Sequence, residues 1–532
     1  MKKLCEELNL FTKETVEVIH VPLLVKGKLV MPPEIKKPEI EAAFRNLTPD
    51  TTYVKLGAAQ LLREPVIDRK TLKLTGEYVY QVLPPISAGE LIESNIDKLI
   101  HGLYAMPFSE VLKFLAAVKE VVGKNQDIVQ RVLEMSRRTA QHPDVYLDRA
   151  FAGLPMLLDP GLARAMVENE LSVWGKPGSQ FLDGWVEVSA AVFPSLASLL
   201  SGELFPDQSA EAGKARIRAL PTRQLHITAG NAPAIPLISA LRAILTKSAA
   251  VIKSPYGATL PGALFALAAV AAAPDHPITQ NLSIVYWQGG DERVEKVFFM
   301  PQAFDRIVVW GAPEAVTSVQ QRALFTRAVY FNPRYGISMI GREVFAGNLE
   351  TVAVRSATDT MIWNQKACIA SQVHYVEGSS EQANQYAEAL RRVLAAWDGK
   401  APQFVEPSAL GRLKRMRRGK YLDATWLLNN RGEDFASGVV VMPGEFDIMD
   451  HPMCRLVVVR RVDDLQDVLK YLHHGVSTAG VYPEERRLKL RDSILARGVS
   501  NVFPLGQCER MFGGMPHDGM MVLSLLVDWK NG

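Results

Sequence analysis

Between residues 223 and 324, short apolar runs of strand character alternate with longer helix-like runs, and the connections between them are only a few residues long. Strand-like pieces fall at 224–229, 249–253, 282–287 and 306–310, and helix-like pieces at 234–245, 260–273, 292–300 and 314–324. Parallel strands need a crossover between them, and a helix is the usual one, so this rhythm predicts βαβ units wound into a doubly wound parallel sheet. In such sheets ligands bind outside the carboxyl ends of the strands, which makes the loop after each strand the place where function should appear.

The first loop, Gly230-Asn231-Ala232-Pro233, opens a helix whose free N–H groups can receive an anion. The second is Lys253-Ser254-Pro255-Tyr256-Gly257, the third Gln288-Gly289-Gly290-Asp291-Glu292 and the fourth Gly311-Ala312-Pro313-Glu314. Glycine at a strand end lets the backbone approach a pyrophosphate, and a lysine beside it can meet ribose hydroxyls or phosphate. Any one of these loops reads equally well as turn chemistry. Four in succession favour a nucleotide site, although no GxGxxG is present and a standard dinucleotide fingerprint is therefore excluded.

The remaining sequence constrains the chain less. Its 532 residues can bury more than one core. Residues 1–220 open with strand-like pieces at 16–30 followed by Pro32, Pro33 and Pro38, and continue with amphipathic helices at 111–122 and 128–140. The apolar stretch 185–204 predicts a buried helix, and 213–221 has the turn and charge signals of a connection. Sixty basic against 57 acidic residues give a formal net charge of +3, which makes no case for a nucleic-acid or membrane partner. Four cysteines without a CxxC pair argue against a disulfide framework or a zinc site and fit a reducing cytoplasm. The N-terminus lacks a long apolar core and the run 264–273 is too short to span a bilayer, so neither export nor a transmembrane segment is expected.

One cysteine has informative company. Cys368 lies in Trp363-Asn364-Gln365-Lys366-Ala367-Cys368-Ile369-Ala370-Ser371, among small residues and just before the alternation Val373, Tyr375 of an expected strand. A loop-to-strand junction can present a thiol to a carbonyl, whereas a lone cysteine is more often a buried packing residue. Cys5, Cys454 and Cys508 have no comparable surroundings and read as packing residues.

The order of these motifs resembles the aldehyde dehydrogenase superfamily and, within it, the luminescence-type acyl-CoA reductases, over roughly residues 220–525. Gly230-Asn231-Ala232-Pro233 is similar to the family's Trp-Asn-Phe-Pro loop, which implies an oxyanion-holding role for Asn231. Val251-Ile252-Lys253-Ser254-Pro255 resembles the loop that takes the adenosine ribose, and Gly289, Gly290, Gly311 and Ala312 lie where the family's strand ends meet pyrophosphate and nicotinamide. The resemblance thus implies cofactor contacts at Lys253, Ser254, Gly289, Gly290, Gly311 and Ala312. Asn364-Gln365-Lys366-Ala367-Cys368 resembles the nucleophile segment with shortened spacing, and Gly475-Val476-Ser477-Thr478-Ala479-Gly480-Val481-Tyr482 resembles Tyr-Gly-Leu-Ser-Ala-Gly-Val-Phe. Pro516-His517-Asp518-Gly519 is similar to the reductase ending rather than the dehydrogenase one, and makes His517 a candidate for activating Cys368, with Asp518 as its orienting acid.

The implied fold is α/β and aldehyde dehydrogenase-like. It comprises an N-terminal extension and helical part (1–220), a doubly wound cofactor core (221–330), an α/β catalytic domain carrying the nucleophile (331–500), and a C-terminal return with a small oligomerisation element (501–532). The implied reaction is NAD(P)H-dependent reduction of an acyl-CoA thioester to the aldehyde, with local dipoles lowering the Cys368 pKa. Departures from the oxidising pattern point the same way. Residues 331–338 contain no carboxylate where oxidising members place a glutamate that activates water, and an acyl reductase would lose its thioester to such a base. Tyr256 stands where an acid usually faces the ribose, which favours NADPH over NADH, and His451-Pro452-Met453-Cys454-Arg455 replaces the ribose-binding Glu-x-Phe-Gly-Pro.

The expected partners are acyl-CoA, further copies of the chain in a dimer or tetramer built through residues 520–529, and an acyl-activating protein if the chain is one subunit of a fatty-acid reductase complex. Aldehyde oxidation and a non-catalytic nucleotide-binding scaffold are the competing readings. The basic run Arg412-Leu413-Lys414-Arg415-Met416-Arg417-Arg418-Gly419-Lys420 reads as a solvated helix face or as a contact for CoA phosphates or an acidic protein.

Overall fold

The computed structural model describes residues 1–12, 16–190, 213–510 and 513–532. Its cofactor-side sheet contains five parallel strands in the spatial order Arg327–Phe331, Arg306–Trp310, Arg223–Ile227, Ala249–Lys253 and Leu282–Val285. The chain thus winds outward in both directions from Arg223–Ile227, and the topological switch lies at the carboxyl end of that strand, where Gly230 to Pro233 follow. Four of the five strands and all four helices fall where the alternation predicts them. The fifth, Arg327–Phe331, is an edge strand with only part of one face buried, too short a signal beside Asn332-Pro333 to be separated from the next domain.

A hairpin from the N-terminal region, Leu23–Val25 and Lys28–Val30, completes the sheet at the opposite edge and makes it seven-stranded. The cofactor core therefore does not begin at residue 221. Leu24 is fully buried opposite Ile284, so the hairpin covers an edge that would otherwise offer unpaired backbone groups. Inside the sheet, Ala249–Lys253 is buried along nearly its whole length, and the helices before and after it, Ile235–Leu245 and Thr259–Ala272, are themselves mostly buried. The second helix packs close because Gly262 has no side chain: a Cβ there would lie 2.6 Å from Ser254 Oγ.

The second seven-stranded sheet runs Thr425–Arg431, Asp434–Met442, Leu456–Val462, Ser371–Glu377, Tyr335–Ile340, Val476–Tyr482, Asn501–Pro504, and is parallel apart from its first hairpin. In chain order its first strand, Tyr335–Ile340, follows the last strand of the cofactor-side sheet with three residues between, and Asn501–Pro504 belongs to this sheet. A separate four-stranded sheet (Val18–His20, Leu74–Leu83, Ala59–Ile67, Tyr53–Leu56) forms most of the N-terminal elaboration. The amphipathic runs at 111–122 and 128–140 are the helices Phe108–Lys124 and Gln126–Arg137. Among the described residues no helix is long and apolar enough to cross a membrane.

Three segments depart from expectation around a third, small sheet of Asp528–Asn531, Gly213–Leu220 and Val186–Ala190. Residues 213–220 form its central strand rather than a connection, because Lys214, Arg216 and Arg218 alternate with inward-facing residues. Residues 186–190 are a strand, and the rest of the expected helix at 191–204 lies outside the described residues. The apolar segment 520–529 is mostly the short helix Val522–Leu526, packed on Val308, Val329 and Phe331, and only its end enters the strand that pairs with Gly213–Leu220 of the same chain.

Lys247 ties the helical region to the cofactor sheet. Its side chain is fully buried, and Nζ donates to the carbonyls of Tyr104 (3.3 Å) and Met106 (2.8 Å) and to Asp183 Oδ1 (3.1 Å), which also accepts from the N–H of Phe108 at the head of a helix. Lys247→Ala should lower unfolding free energy by about 3 kcal/mol, with Asp183's partial exposure screening its share of the loss. Chemical denaturation checks this, and a loss below about 1 kcal/mol would show that the node is incidental.

Candidate active site

The segment before Cys368 has an unusual backbone. After the helix Leu349–Thr360 the chain passes through Trp363, Asn364 and Gln365 at φ of 48°, 56° and 65°, three consecutive non-glycine residues in the left-handed region. Met453, Cys454 and Arg455 do the same at 60°, 45° and 60° just before the strand Leu456–Val462. Each such residue costs on the order of 1 kcal/mol or more, so both turns must be held by contacts.

They hold each other. The fully buried Arg455 guanidinium donates from Nε to Asn364 Oδ1 (2.5 Å), from Nη1 to Asp398 Oδ1 (2.8 Å) and from Nη2 to the Ala401 carbonyl (2.5 Å). Asn364 Nδ2 donates to Gln403 Oε1 (2.9 Å), whose Nε2 returns to the Cys454 carbonyl (3.0 Å), while Gln365 Nε2 reaches the Leu456 carbonyl (2.7 Å). The stretch that replaces the ribose-binding motif is therefore a clasp on the nucleophile loop. Asn364, Gln365 and Arg455 were legible only as motif letters, since nothing in their spacing announces a left-handed turn.

Further contacts fix the loop around Cys368 itself. Ser477 Oγ donates to the Cys368 carbonyl (2.6 Å), giving the Gly475–Tyr482 motif a positioning role. Gly336 donates its N–H to the Ala370 carbonyl (2.9 Å), and a Cβ at 336 would stand 2.3 Å from the Ile369 carbonyl oxygen, so only glycine fits. Lys366 Nζ binds Gln141 Oε1 (2.8 Å) and Glu406 Oε1 (2.6 Å), and Tyr146 donates its hydroxyl to the Met361 carbonyl.

Of the four free cysteines, Cys368 alone is partly exposed; Cys5, Cys454 and Cys508 are buried. Its thiol is not acidified in this state. Burial and the nearby Asp518 carboxylate push it up to about 12, against the opposing pull of the Cys368 and Ile369 N–H groups and of Arg334. The expected lowering by dipoles is thus outweighed by desolvation. Arg334 comes from the stretch that lacks a carboxylate, and its Nη1 lies 3.6 Å from Asp518 Oδ1 and donates to Ser500 Oγ at 2.6 Å.

His517 does not act as the orienting sequence Pro516-His517-Asp518 suggests. Its Nδ1 accepts from Arg242 Nη2 at 3.0 Å, which leaves the proton on Nε2, and its ring packs beside the stacked Trp310 and Phe331. Burial, with the Arg242 and Arg334 charges behind it, lowers its pKa to about 3. A neutral imidazole whose acceptor nitrogen is occupied is no base for Cys368; the acid that faces the thiol is Asp518, in a tight turn with φ of 51° followed by Gly519 at 78°. Asn231 does reach the nucleophile loop: its Nδ2 donates to the Lys366 carbonyl at 3.2 Å, two residues before Cys368.

On the cofactor side, Lys253 lies with Nζ 5.5 Å from the Tyr286 ring and 5.2 Å from the Trp287 ring, without a hydrogen-bond partner among the described residues. Burial lowers its pKa to about 8, with Glu295 pulling the other way. Gly289 and Gly290 are exposed and have open space where a Cβ would point, so they leave room for a diphosphate, whereas at Gly311, just before the N-cap Ala312 of the helix Pro313–Arg322, a Cβ would stand 3.0 Å from the Ala315 Cβ. Ser254 differs: it is buried with its hydroxyl turned toward Gly262, and shapes the loop rather than its surface. The overlooked residue is Glu295, a buried carboxylate that accepts from the Gly290 N–H (3.1 Å), from Trp287 Nε1 (3.3 Å) and from Arg322, and so holds the third loop. The residues present fit a nicotinamide dinucleotide.

Known proteins place this arrangement. The sequence profile of the acyl-CoA reductase (LuxC) family matches residues 211–529. A long-chain acyl-protein thioester reductase of Photorhabdus laumondii is 28% identical over 329 residues, which cover 59% of this chain and 64% of that protein; the match therefore spans just under two thirds of the relative's length. The enzyme of the same name from Photorhabdus luminescens is 27% identical over 365 residues, 65% of this chain and 72% of that one. Among solved structures, NADP-dependent glyceraldehyde-3-phosphate dehydrogenase from Bacillus halodurans superposes with a TM-score of 0.67 at 13% identity, covering 97% of this chain and 99% of that one. Lactaldehyde dehydrogenase from Escherichia coli gives 0.67 at 12% identity with the same coverage. The fold is that of the aldehyde dehydrogenases.

Three variants test the site's physics without turnover. In alkylation by iodoacetamide, Asp518→Asn should move the pH profile of Cys368 toward lower pH and Arg334→Gln toward higher pH, each by an order of tenfold in rate at pH 8; profiles that coincide with wild type would mean neither charge reaches the thiol. Arg455→Met should cost about 3 kcal/mol and quicken Cys368 alkylation at fixed pH by loosening the loop, whereas a stability loss with unchanged alkylation would confine Arg455 to the core.

Proposed function

The chain belongs to the LuxC family of acyl-CoA reductases, and from that membership we propose that it reduces an acyl thioester to the aldehyde through a covalent acyl-Cys368 intermediate. The observation that carries this reading is the single partly exposed thiol, held on a clasped loop between the Asn231 amide and the cofactor-side strand ends. In the first step the Cys368 proton passes to the Asp518 carboxylate as sulfur attacks the thioester carbonyl. The second Asn231 N–H and the backbone N–H groups at Cys368 and Ile369 receive the oxyanion, and the donor's thiol departs with a proton. One such donor is worth about 3 kcal/mol in the transition state.

A nicotinamide cofactor, when bound, supplies the hydride that converts the acyl thioester to the aldehyde level. Lys253 takes its ribose or phosphate, Gly289 and Gly290 leave room for the diphosphate, Gly311 and Ala312 lead the chain into the next helix beside it, and the stretch of Arg334, which has no carboxylate where oxidising members carry a glutamate, spares the intermediate from activated water. Tyr256, whose hydroxyl donates to the Arg63 carbonyl at 2.8 Å, puts no negative charge near the ribose, and NADPH is the favoured form. The acyl donor is acyl-CoA or, as the relatives' names suggest, an acyl-protein delivered by an acyl-activating partner within a reductase complex. The small three-stranded sheet is the element we assign to self-association.

NADPH consumption by the purified protein with acyl-CoAs of graded chain length, beside NADH and a Cys368→Ala control, tests the proposal. Turnover should vanish in Cys368→Ala and fall about 10²- to 10³-fold in Asn231→Ala. Turnover that survives Cys368→Ala would sink the covalent mechanism, and aldehyde-dependent NADP reduction without acyl-CoA turnover would replace reduction by oxidation.

A further inference from the structure

The helix Pro407–Arg418 begins beside the nucleophile loop and leads away from it. Its N-cap residue Glu406 binds Lys366, and its apolar face, Ala409, Leu413 and Met416, is buried in the catalytic domain. The opposite face carries Lys414, Arg415, Arg417 and Arg418, all exposed and none in an ion pair among the described residues. Elsewhere on this surface comparable arginines sit on carboxylates, as Arg391 does on Glu388 and Arg487 on Glu484. Four cations left free in a row, on a chain almost balanced in charge, make an uncompensated positive strip.

Two apolar side chains adjoin it. Lys420 and Tyr421 both bind Asp450, at 2.9 and 2.7 Å, and this brings Leu422 and Met449 to the surface at 69% and 81% exposure. The strip lies about 15 Å along the helix from Glu406, at 1.5 Å per residue. Successive helical residues turn by about 100°, so the four cations splay over an arc of about 160° on a convex surface. A single phosphate group cannot meet them all. A membrane fits poorly as well, because the helix's own apolar face is already buried.

We propose that this face docks an acidic protein that carries the acyl group as a thioester and presents it to Cys368. The inference rests on the acyl-thioester reading above and adds where the donor sits. Free cations facing an acidic surface raise the encounter rate and align the partner, with Leu422 and Met449 as the apolar points of contact.

The test uses the full chain and a fluorescent acyl carrier protein, a small acidic protein bearing an acyl-phosphopantetheine thioester, followed by fluorescence anisotropy at low and high salt. Wild type should bind and weaken with salt, and the combined Lys414→Glu, Arg415→Glu, Arg417→Glu and Arg418→Glu variant should bind about tenfold or more weakly while reducing acyl-CoA within about twofold of wild type. The milder four-glutamine variant and Leu422→Ala with Met449→Ala cover the case in which charge reversal disturbs folding, and each should weaken carrier binding in part. Unchanged carrier binding in the variants, no carrier binding by wild type at low salt, or binding only to anionic phosphatidylserine vesicles would each overturn the proposal. If wild type reduces neither acyl-CoA nor the carrier-bound acyl thioester, the catalytic reading fails instead, and the anisotropy still decides the surface.

Discussion

One buried guanidinium holds the site in shape. Arg455 joins two strained turns, one leading to Cys368 and one leading into the neighbouring strand, and does so with one donor on Asn364 and two on the end of the helix Ser380–Lys400, at Asp398 and at its C-cap Ala401. Six left-handed residues would unwind on their own, and their cost is offset only while Arg455, Gln403 and Gln365 keep their partners. Because Asp398 is the one carboxylate paired with Arg455 among the described residues, removing either leaves the other largely buried without that partner, which makes the clasp closer to all-or-none than gradual. The position of the Cys368 sulfur depends on it.

The electrostatics around that sulfur follow from the same enclosure. Burial and the Asp518 carboxylate push the thiol up to about 12, which favours its protonated form. Asp518 raises the thiol's pKa, while Arg334, beside Asp518, lowers the pKa of both groups. In the mechanism proposed above, attack with proton transfer to Asp518 avoids a free thiolate altogether. Such a site suits a thioester intermediate that must outlast the arrival of a hydride and survive without hydrolysis.

The parts of the molecule that were legible in the chain are those where a local pattern and a global requirement coincide. Buried parallel strands are continuous apolar runs, so Ala249–Lys253 and Arg306–Trp310 could be bounded to the residue, and the loops after them had to face the ligand. The closeness of Asn231 to the Cys368 loop was foreshadowed by their two motifs, and the structure brings Asn231 to the Lys366 carbonyl. Long-range geometry was not: the clasp between Asn364 and Arg455 joins residues 91 apart, and Arg242 reaches His517 across 275. His517 was misjudged for that reason, since its neighbour in sequence is an acid while its neighbour in space is an arginine. Lys214, Arg216 and Arg218 misled in another way, because alternating charges on a half-buried strand look like a connection when the partner strands are far off in sequence.

The N-terminal region, silent in motifs, turns out to enclose the site. Arg69 braces the 140–144 loop by donating to the Ala140 and His142 carbonyls, at 2.7 Å each, and to Asp144. From that braced stretch Gln141 reaches Lys366, the buried His142 imidazole meets the Asn231 backbone and the edge of Trp363, and Tyr146 reaches Met361. The nucleophile loop and the oxyanion loop are thus positioned partly by residues that precede the family match at 211. A change in the 140–146 loop therefore reaches the Cys368 and Asn231 segments together without touching either motif, which makes the region ahead of residue 211 part of how the site is built.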